Sequence, residues 1–202
     1  MARWIAPLLL IAAALLGGCA TSPAPSPAPL VASGPPQSML WVGNSFFYYN
    51  NSLHGHVGQL ATSGRTPVRG TSVTISGSGM DWHDLASLLR PDGVGRYSFA
   101  GDNEIRFNPD AYTAAAKANG AKVIPAGLAF ARAVAVRPDV DLYVADKRHP
   151  SLAGTYLAAC TSYAALFGKN PVGLSYTAGL PADVARAMQT AAWKTVQAYQ
   201  QP

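Results

Sequence analysis

Apolar and polar positions fall into a few short patterns along the chain, and each predicts an element. An uncharged apolar run comes first, over residues 5–16. It is shorter than the roughly 20 apolar residues of a membrane-spanning helix. Met39-Leu40-Trp41-Val42 is a second apolar run, stopped by Gly43-Asn44-Ser45 as a buried strand is stopped by a turn. Residues 52–63 predict a helix. Residues 68–76 alternate Val, Thr and Ile with small polar residues and predict a second strand, ended by Ser76-Gly77-Ser78-Gly79. Asp81 is placed to cap a helix through Leu85, Leu88 and Leu89 to Arg90, closed by Pro91.

Further along, Tyr97-Ser98-Phe99 and Ile105-Arg106-Phe107 are spaced to predict a hairpin around Gly101-Asp102-Asn103. A helix over 110–119 and a short strand at Lys122-Val123-Ile124-Pro125 follow. A helix over 128–136 leads to the apolar triplet Leu142-Tyr143-Val144, which reads as a strand. The clearest helical period spans 151–167, where Leu152, Tyr156, Cys160, Tyr163 and Phe167 recur at three- or four-residue steps. A last amphipathic helix covers 181–199, with Ala182, Ala185, Met188, Ala192 and Val196 among its small and apolar positions. Short strands alternating with helices predict an α/β sandwich around a mainly parallel sheet.

The first apolar run follows Arg3 and ends in Leu16-Gly17-Gly18-Cys19. A short positive start, an apolar stretch and small residues before a cysteine read as an export signal. The segment resembles the lipobox of bacterial lipoproteins. That resemblance implies cleavage before Cys19, diacylglycerol on its thiol and a protein tethered in the cell envelope. Ala20 after that cysteine is compatible with outer-membrane sorting. Residues 20–37 are uncharged and rich in Pro, a composition that extends at ~3.1 Å per residue and lifts a domain off a surface. The expected organisation is a signal over 1–18, a lipidated tether over 19–37 and one domain over 38–202.

Composition narrows the class. The 202 residues are 49% hydrophobic and 12% charged, too apolar for a disordered chain. The formal charge of +5 is not gathered into a stripe, so no nucleic-acid partner is expected. Two cysteines make no disulfide framework, and four scattered histidines make no zinc motif; no metal and no cofactor are expected. Cys160, in an Ala-rich stretch, reads as a small core residue.

Two segments carry candidate chemistry. Ser45 follows a strand directly, at the carboxyl end where α/β sheets bind ligands. Gly43 before it leaves room for a substrate. Asp146 and His149 stand three apart, spaced as across one helical turn, so a carboxylate can hold one imidazole nitrogen while the other faces a nucleophile. His54 and His56 lack a third ligand and read as surface or pocket-lining side chains, and His83 as a helix-surface one. Phe46, Phe47, Tyr48 and Tyr49 read as core and pocket wall; Arg65, Arg69, Lys147 and Arg148 as solvated charges.

Together the two segments resemble the SGNH (GDSL-like) hydrolases. Trp41-Val42-Gly43-Asn44-Ser45-Phe46, followed by Tyr48-Tyr49-Asn50-Asn51, is similar to their first block, and Asp146-Lys147-Arg148-His149-Pro150-Ser151 to their last. Ser76-Gly77-Ser78-Gly79-Met80-Asp81-Trp82-His83 is similar to the second. The resemblance implies a three-layer, flavodoxin-like sandwich with Ser45 as nucleophile, His149 as base and acid, and Asp146 as its orienting partner. It also implies an oxyanion hole from the N–H groups of Ser45 and Gly77, with Gly79 as the alternative glycine, and a third-block Asn. Gly101-Asp102-Asn103-Glu104 is the nearest third block. Either Asn103 fills that role, or a central strand–helix unit is lacking. The implied substrate is a small-molecule or glycan ester, an acylated carbohydrate or lipid. The alternative is an inactive SGNH-derived lipoprotein that binds a cell-envelope glycan or protein.

Overall fold

The computed structural model describes residues 35–84, 88 and 122–200, all within one unit, Val31–Pro202. They form a mixed α/β fold with five helices and a two-stranded parallel sheet. Strand β1 (Ser38–Gly43) pairs with β2 (Arg69–Thr74) in parallel register, Trp41 opposite Ser72 and Gly43 opposite Thr74. Both strands therefore end side by side. The crossover between them contains the short helix α1 (Ser45–Tyr48), a 3₁₀ turn (Tyr49–Asn51) and helix α2 (Leu53–Ser63). Parallel strands require such a crossover, because a hairpin can join only antiparallel ones.

Three longer helices make the other part of the fold: α3 (Ala126–Val136), α4 (Leu152–Phe167) and α5 (Ala182–Gln200). Ser151 caps α4, its hydroxyl accepting from Gly154 N–H at 3.2 Å. Gly168 ends the helix in the left-handed region, its N–H bonded to the Ala164 carbonyl. Of the expected apolar stripe on α4, Tyr156, Cys160 and Tyr163 are buried and the end residues Leu152 and Phe167 half-buried, but most of the rest of the helix is buried too, from Ala153 to Leu157 and from Ala159 to Ala165. Small residues explain this: Ala, Gly, Ser, Thr and Cys let α2, α3 and α5 all pack on one central rod. Helix α5 keeps a single buried stripe of Ala185, Met188, Ala192 and Val196.

Two expected strands are absent. Residues 122–125 are irregular. Leu142-Tyr143-Val144 joins no sheet; it is one arm of a tight reversal, with an antiparallel bridge between Tyr143 and Pro150. Val144 N–H bonds to the His149 carbonyl and Ser151 N–H to the Leu142 carbonyl, so the chain's own return supplies the partners a third strand would have supplied. Asp81 lies inside a one-turn 3₁₀ helix (Met80–Trp82), and of the helix expected through Arg90, residues 85–87, 89 and 90 lie outside the described residues. The hairpin around Asn103, the helix over 110–119 and the segment holding Cys19 lie outside the described residues. Among the described residues no helix is long and apolar enough to cross a membrane.

Candidate active site

The turn after β1 begins with Asn44, whose side chain does two things. Its oxygen accepts from Phe46 N–H at 3.2 Å, capping α1, and its amide donates to the Ser78 carbonyl at 2.9 Å. The second bond ties the end of β1 to the turn after β2. Ile75 N–H reinforces it by donating to the Gly43 carbonyl at 3.0 Å. Ser45 is thereby fixed as the first residue of α1, where the backbone N–H has no partner within the helix. The room left by Gly43 is already occupied: a Cβ there would meet the Phe47 ring at 2.7 Å, so the missing side chain admits Phe47 rather than a substrate.

Across from Ser45, the Asp146 carboxylate organises its own loop. One oxygen accepts from the N–H groups of Arg148 (2.8 Å) and His149 (2.9 Å), and the other meets His149 Nδ1 at 2.6 Å. The spacing of three thus works through a carboxylate-capped turn, with Lys147 in the left-handed region at φ 56°, and not through a helical turn. The His149 ring bond and the two backbone bonds hold the Asp146 carboxyl down at about 2. An ionised carboxylate only accepts, so Nδ1 of the neutral ring carries the proton and Nε2 presents its lone pair. That Nε2 lies 2.8 Å from Ser45 Oγ. Ser45 is buried, the His149 side chain is 19% exposed and the Asp146 side chain 45% exposed.

Ser76-Gly77 forms the tip of a turn closed by Ser78 N–H on the Ile75 carbonyl. Gly77 has φ +73°, a conformation that suits glycine, and its N–H takes no partner among the described residues. The neighbouring Ser78 hydroxyl is buried between the Ile75 carbonyl (2.9 Å) and His83 Nε2 (2.9 Å). His83 is therefore a buried bracket of this turn and not a surface side chain; burial pushes its pKa down, against a hydrogen bond to the Gly43 carbonyl. Asn103 lies outside the described residues, as does Cys19.

The aromatic residues after Ser45 hold the base. Tyr49 stacks on the His149 ring, centroids 4.4 Å apart and planes 5° apart, and Phe46 stacks at 5.1 Å. Tyr48 stacks in turn on Tyr49. Behind them, Asn50, Asn51 and Ser52 all have positive φ, which for residues other than glycine costs about 1–3 kcal/mol each. Several bonds hold that turn. His56 Nε2 meets the Asn50 carbonyl at 2.6 Å, His56 Nδ1 meets the Tyr176 hydroxyl at 2.7 Å, and the Asn50 amide donates to the Pro150 carbonyl and to Thr155 Oγ1, both at 2.8 Å. His56 is 3% exposed, so it is a structural core histidine rather than a surface one. No signal in the sequence marks the bonds to Pro150, Thr155 and Tyr176, because they cross 100, 105 and 120 residues.

Cys160 is fully buried, as its setting predicted, and burial pushes its thiol well above the ordinary range. Lys147 pairs with Asp141 at 3.0 Å between two exposed side chains, a contact of little energetic weight. Among the described residues no three His, Cys, Asp or Glu side chains gather as a metal site. A groove between α3 and α5, lined by Leu128, Arg132, Val136 and Thr195, shares no residue with Ser45, His149 or Asp146. No protein-family model, no curated protein and no solved structure matches the chain.

Proposed function

We propose that the chain is an SGNH-type serine ester hydrolase with the three-layer sandwich of that family, held in the cell envelope by lipid on Cys19. One observation carries the reading: the unbroken line from Ser45 Oγ to His149 Nε2 (2.8 Å) and from His149 Nδ1 to Asp146 (2.6 Å). A serine hydroxyl is a weak nucleophile until a base takes its proton during attack. The Nε2 lone pair is at hydrogen-bond distance for that transfer. As Ser45 Oγ bonds to the ester carbonyl, His149 becomes an imidazolium, which the Asp146 carboxylate stabilises. The negative charge develops on the carbonyl oxygen, and the N–H groups of Ser45 and Gly77 are its donors. His149 then gives its proton to the departing alkoxide, and water repeats the sequence on the acyl-serine. The substrate is an acyl ester of a carbohydrate or lipid.

Full-length protein should hydrolyse short p-nitrophenyl esters, with turnover lost in Ser45→Ala and reduced about 10²–10⁴-fold in His149→Ala. Hydrolysis unchanged by both substitutions would overturn the proposal. A second reading, an inactive envelope-binding protein derived from such an enzyme, is favoured by the sheet, which has two strands among the described residues. Folded protein that turns over no ester would support it.

A further inference from the structure

Asn50 links the nucleophile's turn to the base's loop. It lies five residues after Ser45, yet both of its amide hydrogens are used on the far side of the site, one on the Pro150 carbonyl and one on Thr155 Oγ1. Pro150 directly follows His149, and Thr155 is in the first turn of α4. The residue before Asn50 is Tyr49, whose ring lies flat on the His149 imidazole. Moving Asn50 therefore moves both the ring beneath the imidazole and the peptide that follows it. The Asn50 backbone is itself fixed, since its carbonyl takes the bond from His56, which Tyr176 holds in turn. A carbonyl only accepts, so His56 Nε2 donates and, in the neutral ring, Nδ1 accepts the Tyr176 hydroxyl proton. Asparagine meets all these requirements: it enters the left-handed region more readily than other non-glycine residues, and its carboxamide carries two donors.

The geometry points to Asn50 as a positioning residue: its carboxamide sets the seat of His149 on Tyr49 and, through it, the separation of Ser45 Oγ from His149 Nε2. The catalytic part of this inference rests on the hydrolase reading; the seating of the ring does not.

The test uses the full chain with Asn50→Gly, which keeps the left-handed backbone and removes both donors, and Thr155→Val, which removes one bond partner without touching the turn. Asn51→Gly is the control, since Asn51 shares the positive φ but makes no side-chain hydrogen bond among the described residues. Two readouts are taken. One is the saturation kinetics of an alkyl fluorophosphonate. The other is the ring NMR signals of the four histidines, with His149 assigned from His149→Gln.

The limiting phosphonylation rate should fall about 10–100-fold in Asn50→Gly, with half-saturating probe concentration unchanged. The His149 ring signals should lose the shift imposed by Tyr49. Thr155→Val should move both readouts the same way by less, and Asn51→Gly should move neither. A limiting rate within about twofold of wild type in both variants, with the His149 signals unmoved, would overturn the inference. So would lost thermal stability without those two changes, because it would make Asn50 structural only. Should Asn50→Gly not fold, Thr155→Val decides by the same criteria. Wild type that takes no probe would overturn the hydrolase reading, and the His149 signals alone would then decide the seating.

Discussion

Ser45 stands at the end of a sheet that has two strands among the described residues, the second with no fully buried residue. His149 stands just ahead of a helix buried on almost every side, with Tyr156, Leu157, Cys160 and Tyr163 all at 0–1% exposure. The two sides of the site therefore draw on apolar burial to different degrees. The helical side rests on apolar burial, which is non-directional and summed over many contacts. The sheet side shares the same apolar core through Trp41 and α2 and adds a few directed bonds at the turn itself: Asn44 to Ser78, Ile75 to Gly43, and Ser78 to His83. Directed bonds fix orientation to fractions of an ångström, whereas burial supplies free energy. Damage on the helical side should thus appear in stability, and damage on the sheet side in the rate of the folded protein.

The largest effect expected under this contrast is from Leu157→Ala. It empties a fully buried position of α4 and should cost about 2–5 kcal/mol in denaturant unfolding. The protein that remains folded should react with fluorophosphonate at close to the wild-type rate. A large loss of rate in that folded fraction would break the contrast.

Asn44→Ala should do the reverse. Removing the cap of α1 should cost about 0.5–2 kcal/mol, a smaller loss, while the rate of the folded protein falls further than in Leu157→Ala. Equal rates in the two variants would show that the tie between Asn44 and Ser78 does not orient Ser45.

The smallest effect concerns Asp146, which is partly exposed. Its carboxyl is held at about 2, below the unfolded-chain value of ~3.9. Its contribution to stability is therefore complete above the unfolded value and disappears as pH falls through the folded one. Thermal melts should show wild type above Asp146→Asn at about pH 5, the margin closing as pH approaches about 2. A margin that persists at pH 2 would mean that the carboxylate's charge is not what holds the loop.

The same contrast separates what was legible in the sequence from what was not. Strand β1, the helices α4 and α5 and the residues Ser45, Asp146 and His149 all follow from local signals: an apolar run stopped by a turn, a helical period, a carboxylate three residues from an imidazole. Residues 122–125 and 142–144 looked like strands because a short apolar run does not reveal its hydrogen-bond partner; the second finds one in its own returning chain. The spacing of Asp146 and His149 was legible but its cause was not, since a capped turn and a helical turn both allow three. The bonds of Asn50 to Pro150 and of His56 to Tyr176 were illegible because they cross 100 and 120 residues, which no periodicity records.

The central claim is that Ser45 is an activated nucleophile and that His149 activates it. Intact-mass measurement of the full chain after a fluorophosphonate tests it without knowledge of the substrate, using wild type, Ser45→Ala and His149→Ala. One phosphonate adduct is expected on wild type, mapped to Ser45, with none on Ser45→Ala and formation slowed about 10²–10⁴-fold on His149→Ala. Folded wild type without an adduct, or an adduct that survives both substitutions, would contradict it.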